Sequence, residues 1–251
     1  MLNITGKLIL KSNKKNYIKV KRNQLLLLDA LLNDGGYSKK YLDRSNKVRF
    51  SEHSGHLGLN NSSIDRIIVS AKTTREDADD KEILLPHNLS DTYEYEYFFH
   101  THPPTPYPGS RAKDGIIYEF PSISDIFHFI DHYNMGKTIG SIVIAPEGYY
   151  IIYPKNFSIK KIKYDIEIED EIIEKMETDN NLIQEKALLK YGDVFDENFY
   201  YSNISTDTSF LKMFNSMVNK YLDNQLKIII KNRHKDKLTG KWILKNLYLP
   251  V

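Results

Sequence analysis

The sequence predicts an α/β protein with a helical C-terminal extension. Up to about residue 155, short segments with alternating or β-branched apolar residues are interrupted by two segments whose apolar residues recur at helical spacing. After Pro154 the pattern changes to two long helical segments, EIEDEIIEKMETDNNLIQEKALLKYG and TSFLKMFNSMVNKYLDNQLKIIIKN. This order favours an α/β core in residues 1–155 and a helical extension in residues 156–251.

The composition limits the chemistry available to the chain. None of its 251 residues is a cysteine, which excludes disulfides, thiol nucleophiles and cysteine-bound zinc. The formal net charge of +2 does not favour nucleic acid as a partner, and we interpret the basic segment Lys227 to Lys237 as the solvated face of a terminal helix. No apolar run approaches the roughly 20 residues of a membrane span, and the first residues lack a secretory pattern. We therefore expect an intracellular, cytoplasmic protein, in the host cytoplasm if the source is a virus.

The first hundred residues contain most of the predicted strands. KLILKSNKKNYIKV alternates on both sides of a polar turn and predicts a hairpin. NQLLLLDALLNDGG predicts a helix that Asn23 caps and Gly35-Gly36 ends. VRFSEHSGHLGL, IDRIIVSAK and YEYEYFFHTH predict three strands, and TTREDADDKE predicts a charged loop.

A loop, a helix and a hairpin complete the predicted core. Residues 103–120 contain four prolines and predict an irregular loop long enough to have a function. SISDIFHFIDHYNMG predicts a helix that Gly136 ends, and GSIVIAPEGYYIIY predicts an apolar hairpin.

Two histidines stand at the end of the most regular predicted strand. Residues two apart on a strand point to the same face, so His100 and His102 present two imidazoles to one place. Pro103 and Pro104 end the strand at once, and we expect the rings to be accessible to solvent and substrate at the edge of the sheet. Either a metal site or two strand-end histidines without chemistry is consistent with this pattern.

A carboxylate at the start of the next helix is a candidate third ligand. Asp125 stands three residues after Ser122, and the pair also fits a capping box, in which both side chains satisfy backbone N–H groups and need no metal. A further carboxylate, Glu52, stands in a strand-like stretch that Gly55 and Gly58 follow, where we expect it to approach the site without a bulky neighbour.

Taken as a set, Glu52, His100-x-His102 and Ser122-x-x-Asp125 resemble the JAMM motif of the JAB1/MPN/Mov34 metalloprotease family. Supporting details are Thr101 between the histidines, Pro103 after them, Pro121 before the serine, the run from 52 to 58 and the hairpin after the helix. The resemblance covers most of residues 1–155. It implies a JAB/MPN-like, cytidine-deaminase-like mixed sheet flanked by helices. The spacer between His102 and Ser122 is longer than the family usually has, which an exposed loop tolerates.

The resemblance also implies a mechanism. His100, His102 and Asp125 would hold Zn2+, with water in the fourth position. Glu52 would take a proton from that water and pass it to the leaving amine, and Ser122 would hydrogen-bond the developing oxyanion. The implied activity is that of a zinc metallo-isopeptidase or peptidase, a deubiquitinase-like hydrolase that removes ubiquitin or a ubiquitin-like protein.

Three recognition features are hypotheses beside the resemblance, and that of the loop is motivated only by its position in the sequence. The tail of the modifier would add to an edge strand, and the loop 103–120 would act as a lid or specificity element. The C-terminal helices would offer a surface for a protein partner.

Several alternatives remain open at this point. One alternative is a non-catalytic scaffold of the same fold, which would bind other proteins and catalyse no reaction. Another is an amidohydrolase barrel, which would need further metal ligands from strands after residue 155. The pair His128 and His132 could make a second metal site on the helix. Rivals to Glu52 are other glutamates, of which the last two are expected to face solvent: Glu76, Glu82, Glu94 and Glu96.

Overall fold

The structure is a computed structural model that describes residues 17–37, 40–42, 48–50, 52–60, 63–69, 95–102, 109, 111–192 and 196–251. These residues form a mixed α/β fold whose central six-stranded sheet has helices on both faces, which confirms the predicted class. Among the helices in these ranges, none has both the length and the apolar character that a membrane crossing requires.

Twelve strands and five helices are present in the described ranges. The strands are β1 (Tyr17–Lys19), β2 (Lys40–Leu42), β3 (Val48–Phe50), β4 (Ser54–Asn60), β5 (Ser63–Val69), β6 (Tyr97–Thr101), β7 (Gly140–Ile144), β8 (Gly148–Pro154), β9 (Leu226–Asn232), β10 (His234–Lys235), β11 (Trp242–Ile243) and β12 (Tyr248–Pro250). The helices are α1 (Arg22–Tyr37), α2 (Ile123–Met135), α3 (Glu169–Tyr191), α4 (Glu197–Phe199) and α5 (Thr208–Tyr221).

The order of strands in the central sheet is β5-β4-β6-β7-β8-β9. Only β6 and β7 are parallel, and α2 lies in the crossover between them, whereas the other neighbours are antiparallel. A parallel pair needs such a crossover because the chain must return to the same end of the sheet. The crossover places the N-terminus of α2 after the carboxyl end of β6, where the two histidines lie.

Alternate residues of β6 pack on different helices. Phe98 belongs to the apolar cluster that contains α2, α3 and α5, whereas Tyr97 and Phe99 belong to the cluster that contains α1. Every residue of β6 is therefore buried. The alternating pattern of YEYEYFFHTH correctly predicted a strand, but its two faces are not core and solvent, because helices cover the sheet on both sides.

The end of the chain corrects one predicted helix. TSFLKMFNSMVNKYLDNQLKIIIKN is a helix only as far as Tyr221, and LKIIIKN is strand β9, which pairs with β8. The β-branched run Ile228–Ile230 favours a strand in this context. The basic segment Lys227 to Lys237 is thus not the face of a helix, and Arg233 within it is buried. The division at residue 155 stays a prediction, although β9 extends the sheet of the first region.

The N-terminal predictions have mixed outcomes. The second half of the predicted hairpin is β1, which pairs with β12, while the first half lies outside the described residues. Helix α1 is present, but it begins before Asn23 and continues through Gly35-Gly36 to Tyr37. The predicted strand VRFSEHSGHLGL is two strands, β3 and β4, in different sheets, whereas the predicted strand β5, the helix α2 and the hairpin β7–β8 are confirmed. The charged loop TTREDADDKE lies outside the described residues.

Candidate metal centre

Three side chains that can bind a metal meet at the carboxyl end of β6. His100 belongs to β6, His102 follows it directly, and Asp125 lies in the first turn of α2. One potential ligand atom from each residue lies within 4.8 Å of the others. His100 Nε2 is 3.2 Å from Asp125 Oδ1, and His102 Nε2 is 3.8 Å from Asp125 Oδ2. Ligand atoms around tetrahedral zinc are about 3.3 Å apart, given metal–ligand distances near 2.0 Å, so the group could hold a metal ion.

Asp125 also takes part in a capping box. Its Oδ2 accepts a hydrogen bond of 2.7 Å from the backbone N–H of Ser122, and its own N–H donates to Ser122 Oγ at 3.0 Å. The capping interpretation is therefore confirmed. It does not compete with the ligand interpretation, because Oδ1 faces His100 while Oδ2 accepts the backbone hydrogen bond.

His100 carries a buried nitrogen atom that lacks a hydrogen-bond partner among the described residues. The residue is 2% exposed, and its Nδ1 has no partner in the described part of the chain, while Nε2 has only the Asp125 carboxylate at 3.2 Å. A buried polar atom without a partner costs free energy, and such atoms in native proteins often mark a bound ion or a catalytic role. This is the feature of the structure that best fits a metal ligand.

His102 is oriented by the backbone. Its Nδ1 donates a hydrogen bond of 3.3 Å to the carbonyl oxygen of Glu119, which leaves Nε2 as the atom that faces Asp125. A carbonyl partner on one ring nitrogen is the usual way in which proteins fix the tautomer of a metal-binding histidine. The sequence predicts that both rings are accessible to solvent. This expectation is wrong for His100, because β6 lies inside the sheet. The side chain of His102 is 17% exposed.

The electrostatic environment differs between the three side chains. Burial lowers the pKa of His100, but the Asp125 carboxylate and, less strongly, Glu52 raise it, and the net pKa is above 6.5. Burial dominates at His102 and lowers its pKa, which favours the neutral ring that a metal requires. Burial alone would raise the pKa of Asp125, but the charge of His100 holds it well below the ordinary value.

Glu52 lies on the side of the sheet that carries the histidines. Ser54 pairs with His100 in the antiparallel ladder between β4 and β6, so the same register continued by two residues places Glu52 opposite His102. Its negative charge acts to raise the pKa of both histidines, although burial still leaves the pKa of His102 lowered. The structure therefore brings Glu52 close to the two histidines, and Glu52 is half-buried.

The glycines after Glu52 have a different role from the one expected. A Cβ atom at Gly55 would lie 2.0 Å from the carbonyl oxygen of Ile68 and 2.7 Å from the Phe99 ring. Phe99 points to the face of the sheet opposite His100, since the two are neighbours on β6. Gly55 thus makes room for strand β5 and the Phe99 ring, and not for the carboxylate of Glu52.

Of the rival glutamates, only Glu96 lies in the described residues. It is buried and not solvent-facing as expected, because its Oε1 pairs with Lys137 Nζ at 2.5 Å and its Oε2 accepts from the Leu59 N–H at 2.7 Å. These partners use both of its oxygens at the other end of β6. Glu76, Glu82 and Glu94 lie outside the described residues.

The comparison with known proteins identifies a relative in a giant virus. The chain is 35% identical over 253 residues to a protein of Acanthamoeba polyphaga mimivirus called Uncharacterized protein R413, with 96% of this chain and 68% of that protein covered. The chain belongs to the R413 family. No protein-family model matches the sequence. No solved structure matches it either.

This R413-family protein has a second buried polar group beside the candidate metal centre, which the sequence patterns did not predict. Glu119 Oε2 accepts a hydrogen bond of 2.7 Å from Arg111 Nη1, and the Glu119 N–H donates to Glu147 Oε1 at 2.7 Å. Burial raises the pKa of Glu119 to about 8, although Arg111 acts in the opposite direction. The signal in the sequence was a single acid in the apolar stretch IIYEFP, directly before the Ser122 cap.

The second histidine pair of the R413-family chain belongs to the packing of α2. The rings of His128 and His132 are 4.3 Å apart, and each ring is 5.3 Å from Phe98. His132 is buried, which differs from the expected position beside the buried face. Among the described residues, a group of three potential metal ligands is present only at His100, His102 and Asp125.

Proposed function

We propose that the protein is a JAMM-type zinc metallo-isopeptidase or peptidase that removes ubiquitin or a ubiquitin-like protein from its conjugates. The observation that carries this proposal is the group His100, His102 and Asp125, with a buried His100 Nδ1 that lacks a hydrogen-bond partner among the described residues and Glu52 on the same side of the sheet. The three ligands would hold Zn2+. When bound, zinc would supply Lewis-acid polarisation of a carbonyl and acidification of water.

The residues of the chain would divide the remaining work. Glu52 would accept a proton from the attacking water and deliver it to the leaving amine, for which a half-buried carboxylate beside two histidines is suited. Ser122 Oγ already accepts from the Asp125 N–H, so its hydroxyl proton remains to donate to a developing oxyanion.

The architecture supports a JAB/MPN-like domain in residues 1–155. Helix α1 covers one face of the mixed sheet, α2 covers the other, and the candidate ligands lie where β6 leads into the crossover. The region 156–251 would be an addition specific to this family, with a protein partner bound on its helices.

The substrate would be bound along the sheet. Strands β5 and β9 are the edges of the central sheet, and an extended tail of a ubiquitin-like protein would add to one of them. Ile117, Tyr118 and Phe120 are buried in the core, so the specificity element of the loop 103–120 would lie before residue 117. The mimivirus relative supports a viral source, and we propose that such a protein acts in the host cytoplasm.

The alternative is a non-catalytic scaffold of the same fold. It is favoured by the contacts that Asp125 already makes, since the aspartate caps α2 and pairs with His100 without any metal. In that case the histidines would stabilise the junction of β6 and α2 and would perform no reaction.

Metal analysis separates the two functions. Elemental mass spectrometry of the purified wild type, beside His100→Ala/His102→Ala, should find near-stoichiometric zinc only in the wild type. A panel of ubiquitin-like isopeptide substrates would follow, with Glu52→Gln as the inactive control. If the folded wild type binds no zinc even after zinc is added back, the enzyme proposal is rejected in favour of the scaffold.

A further inference from the structure

The segment Ile117–Glu119 is held entirely by side chains. All six of its backbone N–H and C=O groups have a side-chain partner. Gln184 Oε1 accepts from the N–H groups of Ile117 at 3.0 Å and Tyr118 at 3.2 Å. Gln184 Nε2 donates to Tyr118 O at 2.7 Å, and the Tyr200 hydroxyl donates to Ile117 O at 2.8 Å. The two groups of Glu119 pair with Glu147 and His102.

Four of these six hydrogen bonds come from the C-terminal region. Gln184 lies in α3 and is 7% exposed, and the fully buried Tyr200 begins a single π-helical turn after α4. Together they satisfy four of the six backbone groups, which is what a neighbouring strand would do in a sheet. The position of the segment Ile117–Glu119 therefore depends on two side chains that come much later in the sequence.

The same segment orients the metal centre. Glu119 O is the acceptor for His102 Nδ1, so a shift of the segment rotates or releases the imidazole. Pro121 and Ser122 follow almost directly and lead into the capping box of Asp125. A displacement at Tyr118 thus acts on two of the three candidate ligands, although neither Gln184 nor Tyr200 belongs to the ligand group.

We propose that Gln184 and Tyr200 are positioning residues for the metal centre, and that they act through the backbone of Ile117–Glu119 on the His102 ring. This inference rests on the proposed function only in requiring a metal at His100, His102 and Asp125. It makes the C-terminal region a working part of the site and not only an attachment for partners. Partners that hydrogen-bond to the outer nitrogen of a metal-binding histidine commonly change metal affinity by about 10–100-fold.

The test compares two side-chain amides in the full chain, the buried Gln184 and the half-buried Asn215, each of which hydrogen-bonds to backbone N–H and C=O groups. Gln184→Leu removes the clamp, whereas Asn215→Leu removes a similar amide that pairs with the N–H and C=O of Ile228 in β9. Zinc affinity is measured by competition with a chromophoric chelator, and the ligand geometry by the visible spectrum of the Co2+-substituted protein. Both readouts are taken well below the Tm of each variant.

We expect Gln184→Leu to weaken zinc binding by about 10-fold or more and to alter the Co2+ spectrum, with Asn215→Leu within about twofold of wild type. Equal affinities in wild type and Gln184→Leu, or equal losses in both variants, would overturn the inference while leaving the metal centre intact. Wild type without zinc binding would overturn both the metal centre and the inference.

A milder variant keeps the test decisive if Gln184→Leu does not fold. Tyr200→Phe removes a single hydroxyl and retains the buried ring. It should weaken zinc binding in the same direction by a smaller factor. An unchanged zinc affinity and Co2+ spectrum in folded Tyr200→Phe would then reject the inference.

Discussion

Two buried polar regions lie side by side in this protein and differ in how completely their polar atoms are hydrogen-bonded. In the segment Ile117–Glu119, every backbone N–H and C=O group has a side-chain partner. In the neighbouring candidate metal centre, Nδ1 of His100 is buried without a partner in the described residues, and Nε2 has only the Asp125 carboxylate beside it. The two regions touch at one bond, from His102 to Glu119 O.

The difference separates support from function. A saturated region loses stability when any partner is removed, because the group left behind is buried and unsatisfied, at roughly 1–3 kcal/mol each. A region with buried atoms left unpaired holds a reserve of unfavourable free energy that a ligand can relieve. The contrast therefore predicts which substitutions change metal binding and which change only stability.

The largest expected effect is at Asp125, which belongs to both interpretations. Asp125→Ala should abolish stoichiometric zinc binding and lower the free energy of unfolding by about 1 kcal/mol through loss of the cap. Elemental mass spectrometry and denaturant unfolding measure the two effects. Asp196→Ala is the control, since it removes only the cap that accepts from the Phe199 N–H. Full zinc content in Asp125→Ala would show that Asp125 is not a zinc ligand and would contradict the contrast between the two regions.

The pH dependence of stability should differ between the two regions. The pKa of Glu119 is raised from 4.5 to about 8, so its stabilising contribution is complete below pH 4.5 and is lost as the pH rises towards 8. The pKa of Asp125 is depressed, so its contribution is present above about pH 4 and is lost on acidification.

Thermal unfolding of the metal-free protein across this range tests the prediction. The free energy of unfolding should fall between pH 4.5 and 8 with a slope of up to about 1.4 kcal/mol per pH unit from this one group. Glu119→Gln should flatten that decline while keeping an acceptor for Arg111. An identical slope in wild type and variant would show that Glu119 does not carry it.

Metal addition should stabilise the wild type. A ligand at about 100 times its Kd adds about 2.7 kcal/mol, which raises the Tm of a chain of this size by about 5–10 °C. Differential scanning calorimetry with zinc, then with a chelator, should show a reversible shift. His100→Ala/His102→Ala should show none, and a shift of equal size in that variant would place the zinc elsewhere.

The smallest effect on stability is expected at Ser122. Glycine at an N-cap costs only a few tenths of a kcal/mol, so Ser122→Gly should keep the fold and the zinc content. If the hydroxyl donates to the oxyanion, kcat should fall by about 10²–10³-fold with little change in zinc affinity. Ser122→Ala, which costs about 1 kcal/mol as a cap, shows by contrast how much of any loss comes from stability.

Local patterns predicted the elements whose surroundings do not override them. The leucines of α1, the Ser122 cap with its helix and the hairpin β7–β8 follow from spacing and turn chemistry alone. The prediction of a helix over LKIIIKN was wrong. A β-branched run after a helix is compatible with either helix or strand, and pairing with β8 decides for the strand. The prediction that Glu96 faces solvent was wrong because its partners, Lys137 and Leu59, are distant in sequence.

The sequence by itself determined the residue types of the candidate centre and part of their geometry. His100 and His102 share a face because a strand repeats every two residues, and Asp125 closes the cap because it stands three residues after Ser122. Only the tertiary structure decided that the crossover brings Asp125 to the histidines, that His100 is buried with an unpaired Nδ1, and that Gln184 and Tyr200 hold the segment behind His102. The physical reason is that these contacts join residues far apart in sequence, and no local pattern encodes which side chain fills a backbone hydrogen bond across the fold.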